Sequence, residues 1–91
     1  MNDITSKLKV EVQAHTAIVT IQNPPANTWD LESLRALPRI IDGLSSQQNI
    51  WSLLITGQGE KFFSAGADLK LFRDGSVTMA RDMARAFGEA F

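Results

Sequence analysis

Apolar and polar residues alternate from Lys7 to Gln13, which sets Leu8, Val10 and Val12 on one side of an extended segment. The alternation resumes over Thr16-Ala17-Ile18-Val19-Thr20-Ile21, and with only Ala14-His15 between the two runs the pattern predicts a β-hairpin. It ends at Asn23-Pro24-Pro25-Ala26-Asn27, where consecutive prolines lack the N–H that a ladder needs and turn the chain out of the sheet. Leu31, Leu34, Leu37, Ile41 and Leu44 then recur at helical spacing behind Asp30, a good N-cap, with Glu32, Arg35 and Arg39 on other faces. The spacing predicts one amphipathic helix from Leu31 to Leu44, kinked at Pro38 because the periodicity continues through that residue.

A polar connector, Ser45 to Asn49, leads to the apolar run Ile50-Trp51-Ser52-Leu53-Leu54-Ile55, which reads as a strand covered on both faces and ending at Thr56-Gly57-Gln58-Gly59. Strand, strand, helix, buried strand implies a right-handed crossover and an α/β unit. Farther on, Arg73-Asp74-Gly75-Ser76 has turn and N-capping chemistry, and Met79, Met83, Phe87 and Phe91 repeat at every fourth position. A second amphipathic helix is expected from Val77. It carries no stop signal before Phe91, so the expectation is a chain cut within a helix.

The chain has 91 residues, room for one small domain, with no internal repeat. A charged fraction of 21% and a net charge of −1 give no nucleic-acid footprint. No apolar run is long enough to cross a bilayer, the opening Met1-Asn2-Asp3 resembles no secretory signal, and cysteine is absent; a cytoplasmic protein without membrane or nucleic-acid partners is the expectation. His15 is the only histidine and falls in the hairpin turn, so it reads as structural or surface, and metal binding has no sequence support. Gly57-Gln58-Gly59 lacks the further residues of a dinucleotide or P-loop motif and reads as turn chemistry. Solvated faces and caps account for most of Asp30, Glu32, Asp42, Glu60, Asp68, Asp74, Asp82 and Glu89, while Trp29, Trp51 and the methionine–phenylalanine stripe read as core.

The stretch FFSAGADLKLF, Phe62 to Phe72, combines three features. A strand and a glycine-rich turn lead into it, Ala65-Gly66-Ala67 removes side-chain bulk, and Asp68-Leu69-Lys70-Leu71-Phe72 can start a helical turn whose first N–H groups are unpaired. Such donors suit an oxyanion, although short Gly/Ala turns before helices are common linkers.

Phe63-Ser64-Ala65-Gly66-Ala67-Asp68-Leu69, following Thr56-Gly57, resembles the F-x-A-G-A-D-L signature of the crotonase superfamily, the enoyl-CoA hydratase/isomerase family. Asn23-Pro24-Pro25-Ala26-Asn27 resembles that family's N-R-P-x-x-N-A-L segment, and the order of elements agrees with its N-terminal third. The resemblance implies residues 1–91 as an N-terminal fragment of a crotonase-like α/β domain, a spiral of β-β-α units acting on an acyl-CoA thioester. In that scheme the Ala67 backbone N–H is one of two donors to the thioester oxygen, Ala65, Asp68 and Leu69 flank the acyl-CoA, and Ala26 lines the CoA side. Lys70 remains a surface residue in this reading, and coenzyme A enters only as part of the substrate, with no bound cofactor.

The family's second oxyanion donor and its catalytic glutamates lie beyond the matched segment, so the 91 residues are expected to lack hydration activity. Uncovered apolar surface points to a homo-oligomer. A non-catalytic acyl-CoA-binding or self-assembling module, and a crotonase relative with dehalogenase, thioesterase or synthase chemistry, remain alternatives.

Overall fold

A computed structural model describes residues 5–61, 63, 64, 66 and 77–91. Three strands and two helices follow in the order β1 (Leu8–Gln13), β2 (Thr16–Ile21), α1 (Leu31–Ser45), β3 (Ser52–Gly57) and α2 (Val77–Ala90). The hairpin forms where the alternation placed it: β1 and β2 pair antiparallel, from Leu8 opposite Ile21 to Gln13 opposite Thr16. β2 then pairs in parallel with β3, from Thr16 opposite Ser52 to Ile21 opposite Gly57, giving the sheet order β1-β2-β3. A parallel neighbour cannot be reached by a tight turn, and α1 supplies the crossover.

The core lies on one face of this sheet. Ala17, Val19 and Ile21 of the central strand are fully buried, and Leu8 and Val10 lie beside them on β1, whereas Val12, next to the hairpin turn, is exposed. Leu34, Leu37, Ile40 and Leu44 of α1 complete the core with Met83, Ala86 and Ala90 of α2. Ile40 rather than Ile41 is the more deeply buried of the adjacent pair, since a helical stripe about 100° wide takes residues on both sides of its centre.

At the N-terminus of α1 the Asp30 carboxylate accepts from the Ser33 N–H at 2.9 Å, and the Ser33 hydroxyl accepts in return from the Asp30 N–H at 3.1 Å. This reciprocal cap explains how Ser33, a polar residue, is fully buried at no loss of hydrogen bonding. The helix runs unbroken through Pro38 and is one helix, as the periodicity required.

β3 departs from the expectation of a strand covered on both faces. It is an edge strand, paired only with β2 among the described strands, with Leu53 and Leu54 both exposed although they point to opposite faces. Trp51, expected in the core, is 73% exposed and stacks instead on His15, with ring centroids 3.6 Å apart. An apolar run reports that a strand can be covered, and carries no information on what covers it. Trp29 is buried as expected and meets the ring of the exposed Phe91 edge-on at 5.5 Å.

Candidate functional site

The β2–α1 loop and the segment after β3 both leave the sheet at the same end. The ladder between β2 and β3 extends one step further, with the Gln58 N–H donating to the Ile21 carbonyl at 2.9 Å. Beyond it the loop folds on itself: the Asn27 N–H donates to the Asn23 carbonyl (2.8 Å), the Asn23 N–H to the Asn27 carboxamide oxygen (3.2 Å), and the Asn23 side-chain amide to the Thr28 carbonyl (2.7 Å). Asn27 sits in the left-handed region, φ 54°, which asparagine tolerates better than other residues with a Cβ.

Among the described residues, two bonds tie this loop to the strand-end segment. The Asn27 side-chain amide donates to the Gln58 carbonyl at 3.0 Å, and the Trp29 N–H donates to the Gly66 carbonyl at 2.7 Å. The Gly66 N–H is held in turn by the Ser64 hydroxyl at 3.0 Å. Gly66 has φ 96°, and a Cβ added there would meet nothing within 4 Å among the described residues; the backbone angle is what favours glycine there, where the sequence suggested relief of bulk.

Of the residues expected at the site, Ala26 is half-buried in the β2–α1 loop. Ala65, Ala67, Asp68 and Leu69 lie outside the described residues, as do Lys70 and the Arg73-Asp74-Gly75-Ser76 turn. The structure thus brings the Ala26 loop together with Gly66, the middle residue of Ala65-Gly66-Ala67 in the sequence. Asn27 and Trp29, which make the join, were not singled out as site residues by the sequence; a lone asparagine after Pro-Pro-Ala, at a turn that requires φ > 0, is the signal that marks the first of them.

Behind the join, Lys7 pairs with Asp30 and stands 3.5 Å from Glu32, while the Thr5 hydroxyl donates to Glu32. Burial would raise the Asp30 carboxyl, but the hydrogen bonds from Lys7 and from the Ser33 N–H and hydroxyl outweigh it and hold the group below its ordinary range. The same bond to Asp30 raises the Lys7 ammonium above its ordinary range, against a smaller effect of burial. Asp30 is therefore committed as a cap and an ion-pair partner, poorly suited to proton transfer. His15 also has a structural position: its Nδ1 lies 2.8 Å from the Asn49 carbonyl and must carry the hydrogen, since a carbonyl only accepts. Gln58 belongs to the turn, as read. Among the described residues no cluster of three or more His, Cys, Asp or Glu could hold a metal ion, and no helix is long and apolar enough to cross a membrane.

No family model matches the chain. Individual proteins do. Over 65 residues it is 38% identical to a probable enoyl-CoA hydratase of Bacillus subtilis, a match covering 71% of this chain and 25% of that protein. The structure of Pseudomonas aeruginosa DspI superposes with a TM-score of 0.92 at 57% identity, over 97% of this chain and 36% of DspI. Human mitochondrial delta3-delta2-enoyl-CoA isomerase superposes with a TM-score of 0.82 at 27% identity, over 92% of this chain and 33% of the isomerase.

The hairpin, crossover helix and parallel third strand, with the Pro-Pro loop bound to the glycine turn, are therefore a portion of the crotonase fold. The chain's relatives and structural neighbours are enoyl-CoA hydratase/isomerase proteins of the crotonase superfamily, and the chain spans about a quarter of the curated relative's length and about a third of each matched structure.

Proposed function

We propose that these residues form one part of an acyl-CoA thioester site in an enzyme of the enoyl-CoA hydratase/isomerase type. The Ala67 N–H donates to the thioester oxygen as negative charge builds on it in the enolate; Ala65, Asp68 and Leu69 flank the acyl-CoA, and Ala26 faces the CoA side. A donor waiting where charge develops is worth a few kcal/mol, roughly 10²–10³ in rate. What supports the reading is the 2.7 Å bond from Trp29 to Gly66, which fixes the backbone next to Ala67 against the loop carrying Ala26.

One donor polarises a thioester but does not move protons. Among the described carboxylates the most perturbed, Asp30, is held by Lys7 and Ser33 and is poorly placed to carry a proton. With crotonyl-CoA the chain should show saturable binding without hydration above the buffer rate. Robust hydration by the chain alone contradicts this reading, and so does an absence of binding.

Self-association belongs to the same proposal, in a cytoplasmic setting. It is favoured by Trp51, exposed just before β3, and by Leu53 and Leu54, exposed on a strand whose outer edge is unpaired among the described strands and whose sequence from Ser52 to Gly57 carries no charge.

A further inference from the structure

We infer that Asn27 is the positioning residue of the thioester site: its carboxamide, bridging Asn23 and Gln58, sets where the Gly66 turn sits relative to the Ala26 loop. The inference rests on the functional reading above and adds a residue to it. The ladder between β2 and β3 gives its last cross-link at Gln58 N–H to Ile21, so the segments beyond need another link to hold a fixed separation. The Asn27 side chain supplies it at the first step, receiving from the Asn23 N–H on its oxygen at 3.2 Å and donating its amide to the Gln58 carbonyl at 3.0 Å. Only 4% of the residue is exposed, so water competes poorly for either bond.

The second link, Trp29 to Gly66, lies two residues along the loop and eight along the strand-end segment. With Gln58 pinned on one side to Ile21 and on the other to Asn27, the path to Gly66 starts from a fixed point. Without the carboxamide, Gly57-Gln58-Gly59 can pivot, Gly59 already having φ 89°, and the Gly66 carbonyl no longer meets the Trp29 N–H at constant distance. Ala67, the donor in the functional reading above, is the next residue in the sequence. Asparagine satisfies both demands at once: its backbone tolerates φ 54°, and its side chain both accepts and donates.

The test uses the 91-residue chain with two substitutions. Asn27→Asp keeps the acceptor for Asn23 and sets a carboxylate oxygen against the Gln58 carbonyl; Asn27→Gly keeps the left-handed backbone and removes the side-chain bonds to Asn23 and Gln58. The first readout needs no ligand. Amide hydrogen exchange at Trp29 should quicken by about tenfold more than exchange at the core amides of Leu37 and Ile40, as for selective loss of one bond. A merely structural role quickens all three together, in step with global stability, and overturns the inference; so does unchanged exchange at Trp29.

The second readout is the absorption of a conjugated enoyl-CoA, which moves to longer wavelength when its carbonyl is hydrogen-bonded. Wild type should give the shift, and the Asn27 variants should bind the CoA thioester and lose the shift; a full shift in both variants overturns the inference. Wild type without any shift defeats the thioester reading instead, and exchange at Trp29 then decides alone whether Asn27 is a clamp. Asn27→Gly serves where Asn27→Asp fails to fold.

Discussion

The Trp29 N–H donates to the Gly66 carbonyl at 2.7 Å, across 37 positions of sequence, and this bond joins the start of a helix to a glycine turn beyond the neighbouring strand. Trp29 is itself fixed, with its indole buried under Phe91 and its C-terminal neighbour Asp30 capping α1. Gly66 is therefore tied to the capped α1 N-terminus rather than to the loop alone. A site that must stabilise developing charge needs that kind of support, because a donor displaced by an ångström loses most of its effect.

Gly66→Ala isolates the backbone term. The added Cβ meets nothing within 4 Å among the described residues, so the expected cost is that of forcing a side chain to φ 96°, about 1–2 kcal/mol. Chemical denaturation should show this loss with an unchanged slope. A neutral substitution contradicts the left-handed assignment.

Lys7 and Asp30 make stability depend on pH at both extremes. The Asp30 carboxyl is lowered from 3.8 by folding, so its contribution is complete above 3.8 and is lost as pH falls through the lower, folded value. The Lys7 ammonium is raised from 10.5, so its contribution is complete below 10.5 and is lost as pH rises through the higher, folded value. Lys7→Met should cost about 1–2 kcal/mol near neutral pH, between the values for exposed and buried pairs. Thermal melts of both proteins should begin to converge as pH falls below 3.8 or rises above 10.5 and should meet only beyond the shifted, folded values, and a difference constant with pH overturns the ion pair as its source.

Leu54→Lys places a charge on the open strand. Leu54 is already 51% exposed, so the folded monomer should lose under about 1 kcal/mol, while association at micromolar concentration should fall sharply in sedimentation velocity. A compact wild-type monomer at that concentration removes the basis for an oligomer formed through this surface.

Legibility in the sequence followed the range of the interaction. The hairpin and α1 were readable because alternation, spacing and the Asp30 cap are written in adjacent residues. Burial of Ile50 to Ile55 was not, because it depends on what stands opposite β3, and so Trp51 came out exposed on His15. The motif resemblance singled out the Ala26 loop and the segment around Gly66, and the structure shows these two segments joined. The bonds that join them were not legible, since backbone donors and carbonyls such as Trp29 and Gly66 leave no trace in residue identity. Asn27 left a partial trace, as a turn-former whose side-chain partner, 31 residues away, only the fold reveals.

The most direct test of the thioester site is the carbon-13 resonance of an acyl-CoA labelled at the thioester carbonyl, titrated with the wild-type chain and with Ala67→Pro, which removes the backbone donor. Each protein is first shown to keep its Trp29 amide protected. A saturable downfield shift with wild type, absent with Ala67→Pro, is the expected result. An unmoved resonance with wild type, or the same shift with both proteins, contradicts the assignment of an oxyanion donor to this chain.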